Sequence, residues 1–371
     1  MKVLQLVSST KGRNDILASI AIGSNSRDRT VEFVCLDQGT GEFASLLSDA
    51  GIPLHVLGTG NPLRLTIRLR RFLRGADVDV VQSHGHRVSL LLIIATLGLR
   101  QRPAVMPVRH HNQFHHLIRK HLWVLADRAI IRFADGVVAI STSVRDTLIA
   151  EGCPLNRLYR ATNGRHWGNL SHDQEDVTRI RRNCRHAYLL AAVGNLKFEK
   201  DYPTLIRALR LVVDAGVDAE LQIAGAGSQT ARQQLTALAS DLDLSERVRF
   251  LGWVDDVLSL IRAADVFVQA SVDEASPQVV YEAAGLGVPV VATSAGGIRD
   301  ILGRYQDLVE PGDVSGLAEA LVASLSDLEA ERTRAEGISA DVRDRYGNER
   351  CRESYLRACH QLLEDMGKRE A

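Results

Sequence analysis

Two glutamates, Glu274 and Glu282, stand eight positions apart late in the sequence. Residues 264–271 form a buried-strand pattern, so Glu274 is expected in the loop after a strand and Glu282 one or two turns into the next helix. A helix start offers unpaired N–H groups and a positive dipole end to an anion, and carboxylates accept hydrogen bonds from sugar hydroxyls. The pair therefore fits a nucleotide sugar. Solvated carboxylates in a chain that is 24% charged are the alternative.

Lys200 is a second candidate, in the loop that follows the strand pattern 189–193. A cation there would neutralise a diphosphate as the glycosidic bond breaks, which stabilises the transition state without a metal. A solvated loop tip is the usual alternative for a lysine in a loop.

Histidines are concentrated in the first part of the chain, and two of them, His84 and His110, end predicted strands. His84 fits either an acceptor-binding residue or a polar strand end. The full set mixes strand ends and helical segments without accompanying carboxylates, so no metal site is predicted. Its members are His84, His86, His110, His111, His115, His116 and His121.

The elements that position these groups alternate between short apolar runs and longer helical patterns, which is typical of βα units and parallel sheets. Strands are predicted at 2–8, 31–36, 54–57, 79–82, 104–108, 136–140, 189–193, 220–224, 248–251, 265–269, 289–292 and 307–309. The fold class is therefore α/β, with two Rossmann-like parallel-sheet domains. Residues 162–185 are polar and contain Asn163-Gly164, so the linker is placed there. The predicted domains are 1–165 and 186–347, followed by a helix over 348–371.

Composition restricts the alternatives. A chain of 371 residues that is 45% hydrophobic can bury a core in each of two domains. Five cysteines without metal-ligand spacing favour a reducing cytoplasm over a disulfide framework. The longest apolar run, 90–99, is too short to cross a bilayer. Gly225 and Gly227 follow a strand pattern, but Thr230 stands where a dinucleotide fingerprint has its third glycine, so a nicotinamide enzyme is not expected.

Charge is distributed unevenly although the whole chain is neutral. Through Arg165 there are 22 basic against 12 acidic residues, and the remainder carries 23 against 33. A basic first half suits an anionic acceptor or peripheral contact with an acidic membrane surface at the inner membrane face. The first half contains a basic amphipathic helix pattern that would suit a membrane surface. The alternative to membrane docking is an ordinary solvated arginine face. The arginines recur at Arg64, Arg68, Arg71 and Arg74.

Together these motifs resemble the retaining family 4 glycosyltransferases, which have the GT-B fold of two Rossmann-like domains facing a central cleft. The Glu274 to Glu282 run is similar to the family's two-glutamate signature, and the resemblance extends over nearly the whole chain. Further matching landmarks are residues 1–9, 79–84, 134–141, 163–164, 192–196, 248–252 and 293–297.

The resemblance implies site roles. Glu282 would bind the donor ribose, Glu274 the transferred sugar, and Lys200 the diphosphate. His110 would contact the transferred sugar as a catalytic residue, with His111 as a substitute. The remaining donor-binding candidates are Gly12, Asn195, Gln278, Val279 and Val280, and the acceptor-binding candidates are Lys11, Arg13 and His84.

The implied reaction transfers a sugar from a UDP- or GDP-type donor to a saccharide, lipid-linked or small-molecule acceptor. It needs neither cofactor nor metal, and no nucleic-acid partner is expected. The C-terminal helix would pack back toward the first domain. With both glutamates engaged in binding, a same-face displacement is favoured over a covalent intermediate.

Two departures from the family pattern keep alternatives open. Asn195 stands where the family has an arginine, with Lys197 as a replacement cation, and the first loop has one glycine, Gly12, instead of a pair. A non-catalytic subunit that binds a nucleotide sugar or a partner enzyme is therefore the second hypothesis. A sugar-nucleotide epimerase is the third, and the glutamate spacing argues against it.

Overall fold

The computed structural model describes residues 1–11, 14–112, 120–169 and 174–370. The chain divides into two compact units. The first comprises Met1–His166 together with Tyr346–Ala371, and the second comprises Trp167–Arg345. Among the described helices, none combines the length and apolar character needed to cross a membrane.

The first unit is built on a seven-stranded sheet whose paired strands are all parallel, in the order β3-β2-β1-β4-β5-β6-β7. The strands are β1 Lys2–Val7, β2 Thr30–Cys35, β3 Leu54–Val56, β4 Val80–His84, β5 Ala104–Arg109, β6 Val137–Ala139 and β7 Leu158–Arg160. Helices α1 to α6 are Asp15–Ala21, Glu42–Asp49, Pro62–Gly75, His86–Thr96, Lys120–Phe133 and Thr142–Ala150.

Local sequence sets the helix starts in this unit. Asn14 caps α1 by accepting a hydrogen bond from the Leu17 N–H, and Asn61 caps α3 directly before Pro62. Leu65, which packs with β-strand residues in one core cluster, is buried on the inner face of α3 together with two further leucines. The arginines of the basic helix pattern therefore lie on the outer face, as amphipathic spacing predicts.

The second unit contains a five-stranded parallel sheet in the order β10-β9-β8-β11-β12. The strands are β8 Tyr188–Val193, β9 Ala219–Ala224, β10 Val248–Gly252, β11 Val266–Gln269 and β12 Val290–Ala292. Helices α7 to α14 are Gln174–Arg182, Tyr202–Asp214, Gln229–Asp241, Val257–Ala263, Gln278–Gly285, Gly297–Leu302, Val314–Ser326 and Leu328–Arg345.

The last helix, α15 (Asn348–Glu370), belongs to the first unit. It packs against α1 and reaches β5 and β7. Tyr355, Cys359 and Leu362 are fully buried, and Leu356 nearly so. Leu363, next to Leu362, is partly exposed.

Three details differ from the sequence prediction. The stretch 162–185 is not a simple linker, because α7 lies within it and Arg181 donates two hydrogen bonds to buried Asp265 at the start of β11. The strand β7 is not predicted by the sequence pattern. The predicted strand 307–309 is reduced to one isolated bridge between Thr293 and Val309.

The strand orders locate the edges where ligands bind. In open parallel sheets the ligand crevice lies beyond the carboxyl ends of the strands where the order reverses. That point lies between β1 and β4 in the first unit and between β8 and β11 in the second. Lys200 follows β8 and Glu274 follows β11, so both candidates come from the loops at this position.

Candidate functional site

The centre of the second unit's candidate site is an ion pair between Lys200 and Glu274. The lysine Nζ lies 2.5 Å from the Oε1 of the glutamate. The same oxygen accepts hydrogen bonds from Gln269 Nε2 at 2.9 Å and Ser271 Oγ at 2.8 Å. The two charged side chains are 19% and 12% exposed, so the pair is shielded but reachable from solvent. Three donors on one oxygen hold the carboxylate in one orientation.

The loop after β8 delivers Lys200 to this position. Residues Phe198–Lys200 form one 3-10 turn, and the Val272 N–H donates a 2.9 Å hydrogen bond to the Glu199 carbonyl. This bond joins the loop after β8 to the loop after β11. Tyr202 Oη donates to the Gly194 carbonyl at 2.7 Å and fixes the start of the same loop. The lysine is therefore positioned by backbone on both sides.

Glycines make the close approach of these loops feasible. A Cβ on Gly194 would lie 2.6 Å from Lys200 Cε, and a Cβ on Gly225 would lie 1.9 Å from the Gly194 carbonyl oxygen. A Cβ on Gly227 would meet Leu196 at 2.5 Å. The glycines after β9 thus serve tight packing of neighbouring loops.

The turn before α12 fixes the backbone of Glu274. The Gly297 N–H donates a 2.8 Å hydrogen bond to the Glu274 carbonyl, and a Cβ on Gly297 would lie 2.2 Å from the Ala275 carbonyl oxygen. The Gly296-Gly297 motif therefore holds the loop that carries Glu274.

Helix α11 starts beside this loop. Its N-cap is Pro277, which makes no side-chain capping hydrogen bond. Gln278 and Val279 are partly exposed and Val280 is buried. Glu282 lies on the fifth position of the helix and is 5% exposed. The structure thus places Glu274 in the loop and Glu282 within the helix, as the spacing predicts.

Asn195 and Lys197 are exposed in the loop between β8 and the 3-10 turn. The backbone of this loop is held by the Leu196 N–H, which donates to the Ala226 carbonyl at 2.8 Å. Both side chains thus stand on the loop that carries Lys200, and either is available to a ligand at this edge of the sheet.

In the first unit, His84 and His110 lie together. His84 ends β4, His110 follows β5, and His84 Nδ1 is 2.9 Å from His110 Nε2. Burial lowers the pKa of His110 to about 4, and burial with the neighbouring His110 lowers the pKa of His84 well below its ordinary value. Both imidazoles are therefore neutral at physiological pH.

The loop after β1 is anchored by Asp37. Its carboxylate accepts hydrogen bonds from Ser9 Oγ at 2.7 Å and from the Thr10 and Gly39 N–H groups at 2.8 and 3.0 Å. Burial alone would raise the pKa of Asp37, but these donors outweigh it and lower the pKa to about 2.

Lys11 is exposed next to this anchor. Gly12, a predicted donor-binding residue, and Arg13, a predicted acceptor-binding residue, lie outside the described residues.

One expectation about the histidines is wrong. His86 and His111 do have an accompanying carboxylate, since one potential ligand atom from each and from Asp127 all lie within 4.8 Å of one another. His86 Nδ1 is 2.7 Å from Asp127 Oδ1, and Arg109 Nη1 is 2.5 Å from Asp127 Oδ2. The guanidinium already neutralises the carboxylate and would repel a cation. We therefore interpret Asp127 and Arg109 as a buried ion pair, and we assign no metal to this cluster.

Several residues that hold the site are not apparent from the sequence motifs. Gln269 and Ser271 orient Glu274, and Gln5 contacts His84 Nε2 at 2.6 Å. The available signal is a polar residue within an otherwise apolar strand pattern, as in Gln5 of β1 and Gln269 of β11. Such a residue must have a buried hydrogen-bond partner.

Comparison with known families matches both halves of the chain. Residues 187–327 match the family described as "Glycosyl transferases group 1", and residues 14–164 match the "Glycosyl transferase 4-like domain". The two matches together cover most of the sequence.

Individual relatives are more distant. An N-acetyl-alpha-D-glucosaminyl L-malate synthase from Bacillus anthracis is 27% identical over 197 residues, 52% of this chain and 51% of that protein. An Escherichia coli UDP-Gal:alpha-D-GlcNAc-diphosphoundecaprenol alpha-1,3-galactosyltransferase is 24% identical over 285 residues, 71% of each chain. The chain spans about half the length of the first curated relatives it matches.

Solved structures share the whole fold. The crystal structure of Anabaena HepE in complex with UDP matches with a TM-score of 0.78 at 22% identity, covering 99% of this chain and 100% of that one. At this identity the likeness establishes the fold.

Proposed function

This chain belongs to the family 4 glycosyltransferases of GT-B fold, and we propose that it is a retaining, metal-independent enzyme that transfers a sugar from a nucleoside diphosphate donor to a hydroxyl acceptor. The observation that carries the proposal is the Lys200–Glu274 pair beside the start of α11. It combines a cation and a helix start for phosphate with a carboxylate for sugar hydroxyls, at the edge where parallel sheets bind ligands.

In this proposal the diphosphate lies between Lys200 and the first residues of α11. The backbone of Gln278, Val279 and Val280 faces the phosphate oxygens, and the helix dipole adds favourable potential. The lysine charge matters more in the transition state than in the ground state, because negative charge grows on the leaving diphosphate as the bond to the sugar breaks. Asn195 and Lys197 stand on the same loop and supply further hydrogen bonds to phosphate.

Glu274 binds hydroxyls of the transferred sugar, and Glu282 binds the donor ribose. The orientation of Glu274 by Gln269, Ser271 and Lys200 supports a binding role. A charge-assisted hydrogen bond of this type contributes about 1.5–3 kcal/mol. The proposed donor base is uracil or guanine.

Retention follows from a same-face displacement. An oxygen of Glu274 that accepts three hydrogen bonds, one of them from an ammonium group, is a poor nucleophile, which supports a route without a covalent enzyme intermediate. The bond between the anomeric carbon and the leaving phosphate oxygen breaks while the acceptor oxygen bonds to the same face. The acceptor proton passes to the departing diphosphate. Neutral His110 contacts the transferred sugar.

The acceptor is assigned to the first unit, with Lys11 as a polar binding residue. His84, whose two ring nitrogens already contact Gln5 and His110, only lines the site. The names of two relatives mention L-malate and alpha-D-GlcNAc-diphosphoundecaprenol. A saccharide, lipid-linked or small-molecule acceptor therefore remains the proposal for this chain.

Contact with an acidic membrane surface is a further part of the proposal, and α3 supports it. Its outer face exposes Arg64 and Arg71 beside Leu63, which is 69% exposed, and Ile67, which is 49% exposed. Arginines next to exposed apolar side chains suit anionic lipid headgroups. Co-sedimentation with vesicles of acidic phospholipid tests this, with Arg64→Ala combined with Arg71→Ala expected to abolish binding and vesicles of neutral phospholipid as the control.

The test of the function is turnover. Purified protein is incubated with UDP- and GDP-sugars and an acceptor panel, and the anomeric configuration of the product is read by NMR. The proposal expects transfer, or slow donor hydrolysis without acceptor, with retained configuration and in the presence of EDTA. An inverted product contradicts the mechanism. Saturable donor binding without any turnover would instead favour the non-catalytic alternative.

A further inference from the structure

A continuous row of hydrogen-bonded side chains links His110 to the backbone of α15 inside the first unit. His110 Nε2 lies 2.9 Å from His84 Nδ1, and His84 Nε2 lies 2.6 Å from Gln5 Oε1. Gln5 Nε2 donates to Gln82 Oε1 at 2.7 Å. Gln82 Nε2 then donates to the carbonyl oxygen of Tyr355 at 3.4 Å.

The Tyr355 end of this row determines which group donates and which accepts in each hydrogen bond. The Tyr355 carbonyl oxygen can only accept a hydrogen bond, so Gln82 must present its amide nitrogen to it and its oxygen to Gln5. Gln5 must then donate to Gln82, which leaves the Gln5 oxygen facing His84. The opposite orientation of either amide would bring two acceptors or two donors together. Met106 Sδ, 3.6 Å from Gln82 Nε2, accepts from the same amide group and agrees with this orientation.

The same donor and acceptor assignment determines which ring nitrogen of His84 and of His110 carries the proton. Because the Gln5 oxygen accepts, His84 carries its proton on Nε2, and the Nδ1 of a neutral His84 is an acceptor. His110 must therefore donate from Nε2, so that its own Nδ1 carries a lone pair. Burial lowers the pKa of both rings, which keeps each imidazole neutral, with one donor and one acceptor nitrogen.

Position supports a role for this row beyond packing. Gln5 and Gln82 are fully buried in the central strands β1 and β4. Tyr355 is itself held by its Oη, which donates to Asn163 Oδ1 at 2.8 Å. The row leads outward from this rigid interior to partly exposed His84 and His110 at the carboxyl edge of the sheet.

We propose that Gln5 and Gln82 are positioning residues that hold His110 as its Nε2–H tautomer and so restrict its Nδ1 to ligand groups that donate a hydrogen bond. This rests on the proposed function, in which the donating group is a hydroxyl of the transferred sugar. Phosphate and carboxylate oxygens, which only accept, are excluded as partners of that nitrogen. His110 thus selects for the sugar and against the diphosphate end of the donor.

The tautomer is measured directly by ¹⁵N NMR of the ligand-free protein labelled at histidine, since protonated and unprotonated ring nitrogens differ in chemical shift and in coupling to the ring protons. His110→Gln and His84→Gln assign the signals. Protonated Nε2 and unprotonated Nδ1 are expected for both rings at neutral pH. A protonated Nδ1 on His110 would overturn the inference.

Gln5→Glu tests the cause. A carboxylate at this position accepts from His84 and favours its imidazolium form, in which His84 Nδ1 donates to His110 Nε2. His110 is then expected to switch to the Nδ1–H tautomer and kcat/KM for the sugar donor to fall by about tenfold or more. Affinity for the nucleoside diphosphate alone should change less than twofold. The matched control is Gln38→Glu, the same change at an exposed position of the first unit.

The outcomes separate this inference from the proposed function. If folded Gln5→Glu keeps the His110 tautomer of the wild type, the proposed role of Gln5 and Gln82 is contradicted, whether or not the variant retains transferase activity. If that variant does not fold, the wild-type spectrum alone decides. If the predicted tautomers are found but the protein transfers no sugar, the role of Gln5 and Gln82 stands and the proposed glycosyltransferase function is refuted.

Discussion

Replacing Lys200 by methionine should remove most of the turnover while leaving the fold intact. The perturbation deletes the ammonium group that lies 2.5 Å from Glu274 Oε1 and keeps an apolar chain of similar length. At about 4 Å from a diphosphate oxygen, one unit charge contributes roughly 4 kcal/mol at the effective dielectric of a protein surface. Part of that interaction already exists in the bound donor, so only the share gained in the transition state lowers kcat.

Loss of one preorganised electrostatic donor costs about 2.7–4 kcal/mol, or roughly 10²- to 10³-fold in kcat. We expect Lys200→Met within that range, with a smaller rise in KM. Stability should fall by about 1–3 kcal/mol, because the Glu274 carboxylate loses its cation but keeps its bonds to Gln269 and Ser271.

The assay compares steady-state transfer and urea unfolding for wild type, Lys200→Met and Arg207→Met. Arg207 is exposed on α8, and its replacement removes the same charge away from the site. If Lys200→Met kept kcat within about threefold of the control, the proposed role of this lysine in leaving-group stabilisation would be refuted.

Further predictions concern the supporting structure. Asp265→Asn should destabilise the protein by about 3–5 kcal/mol in urea unfolding, because buried Asp265 pairs with two arginines and accepts a hydrogen bond from the Leu189 N–H. A decrease in the free energy of unfolding below about 1 kcal/mol would contradict this. Gly225→Ala should cost about 1–3 kcal/mol or more, because its Cβ would meet the Gly194 carbonyl oxygen at 1.9 Å. The comparison is Gly337→Ala, where a Cβ would meet nothing within 4 Å. The pKa of Asp37 is lowered from 3.8 to about 2, so ionised Asp37 should contribute about 2 kcal/mol to the free energy of unfolding. This contribution is fully present above about pH 4 and is lost as the pH falls through about 2. Asp37→Asn should flatten that part of the stability-versus-pH curve.

Much of the fold is predictable from the sequence because parallel strands are buried on both faces and appear as continuous apolar runs. The failures have physical causes. Strand β7, Leu158–Arg160, follows Arg157 and ends in an arginine, so it has no continuous apolar run. Helix α7 is highly polar, and its attachment through Arg181 to Asp265 depends on residues 84 positions apart.

The candidate site is predictable in part. The spacing of Glu274 and Glu282 and the loop position of Lys200 follow from the strand and helix pattern. The direct pairing of Lys200 with Glu274 and the row from His110 to Tyr355 require three-dimensional contacts between residues that are 26 to 273 positions apart in the sequence. No periodicity encodes such contacts.

Titration of nucleoside diphosphate sugars into wild type and Glu282→Ala by calorimetry tests the central claim most directly. We expect saturable binding of a UDP- or GDP-sugar to wild type and an affinity that is weaker by about 1.5–3 kcal/mol, or roughly 10- to 150-fold, in the folded variant. Equal affinity of the two proteins, or no binding of any nucleotide sugar to wild type, would contradict donor recognition by α11 and the loop that precedes it.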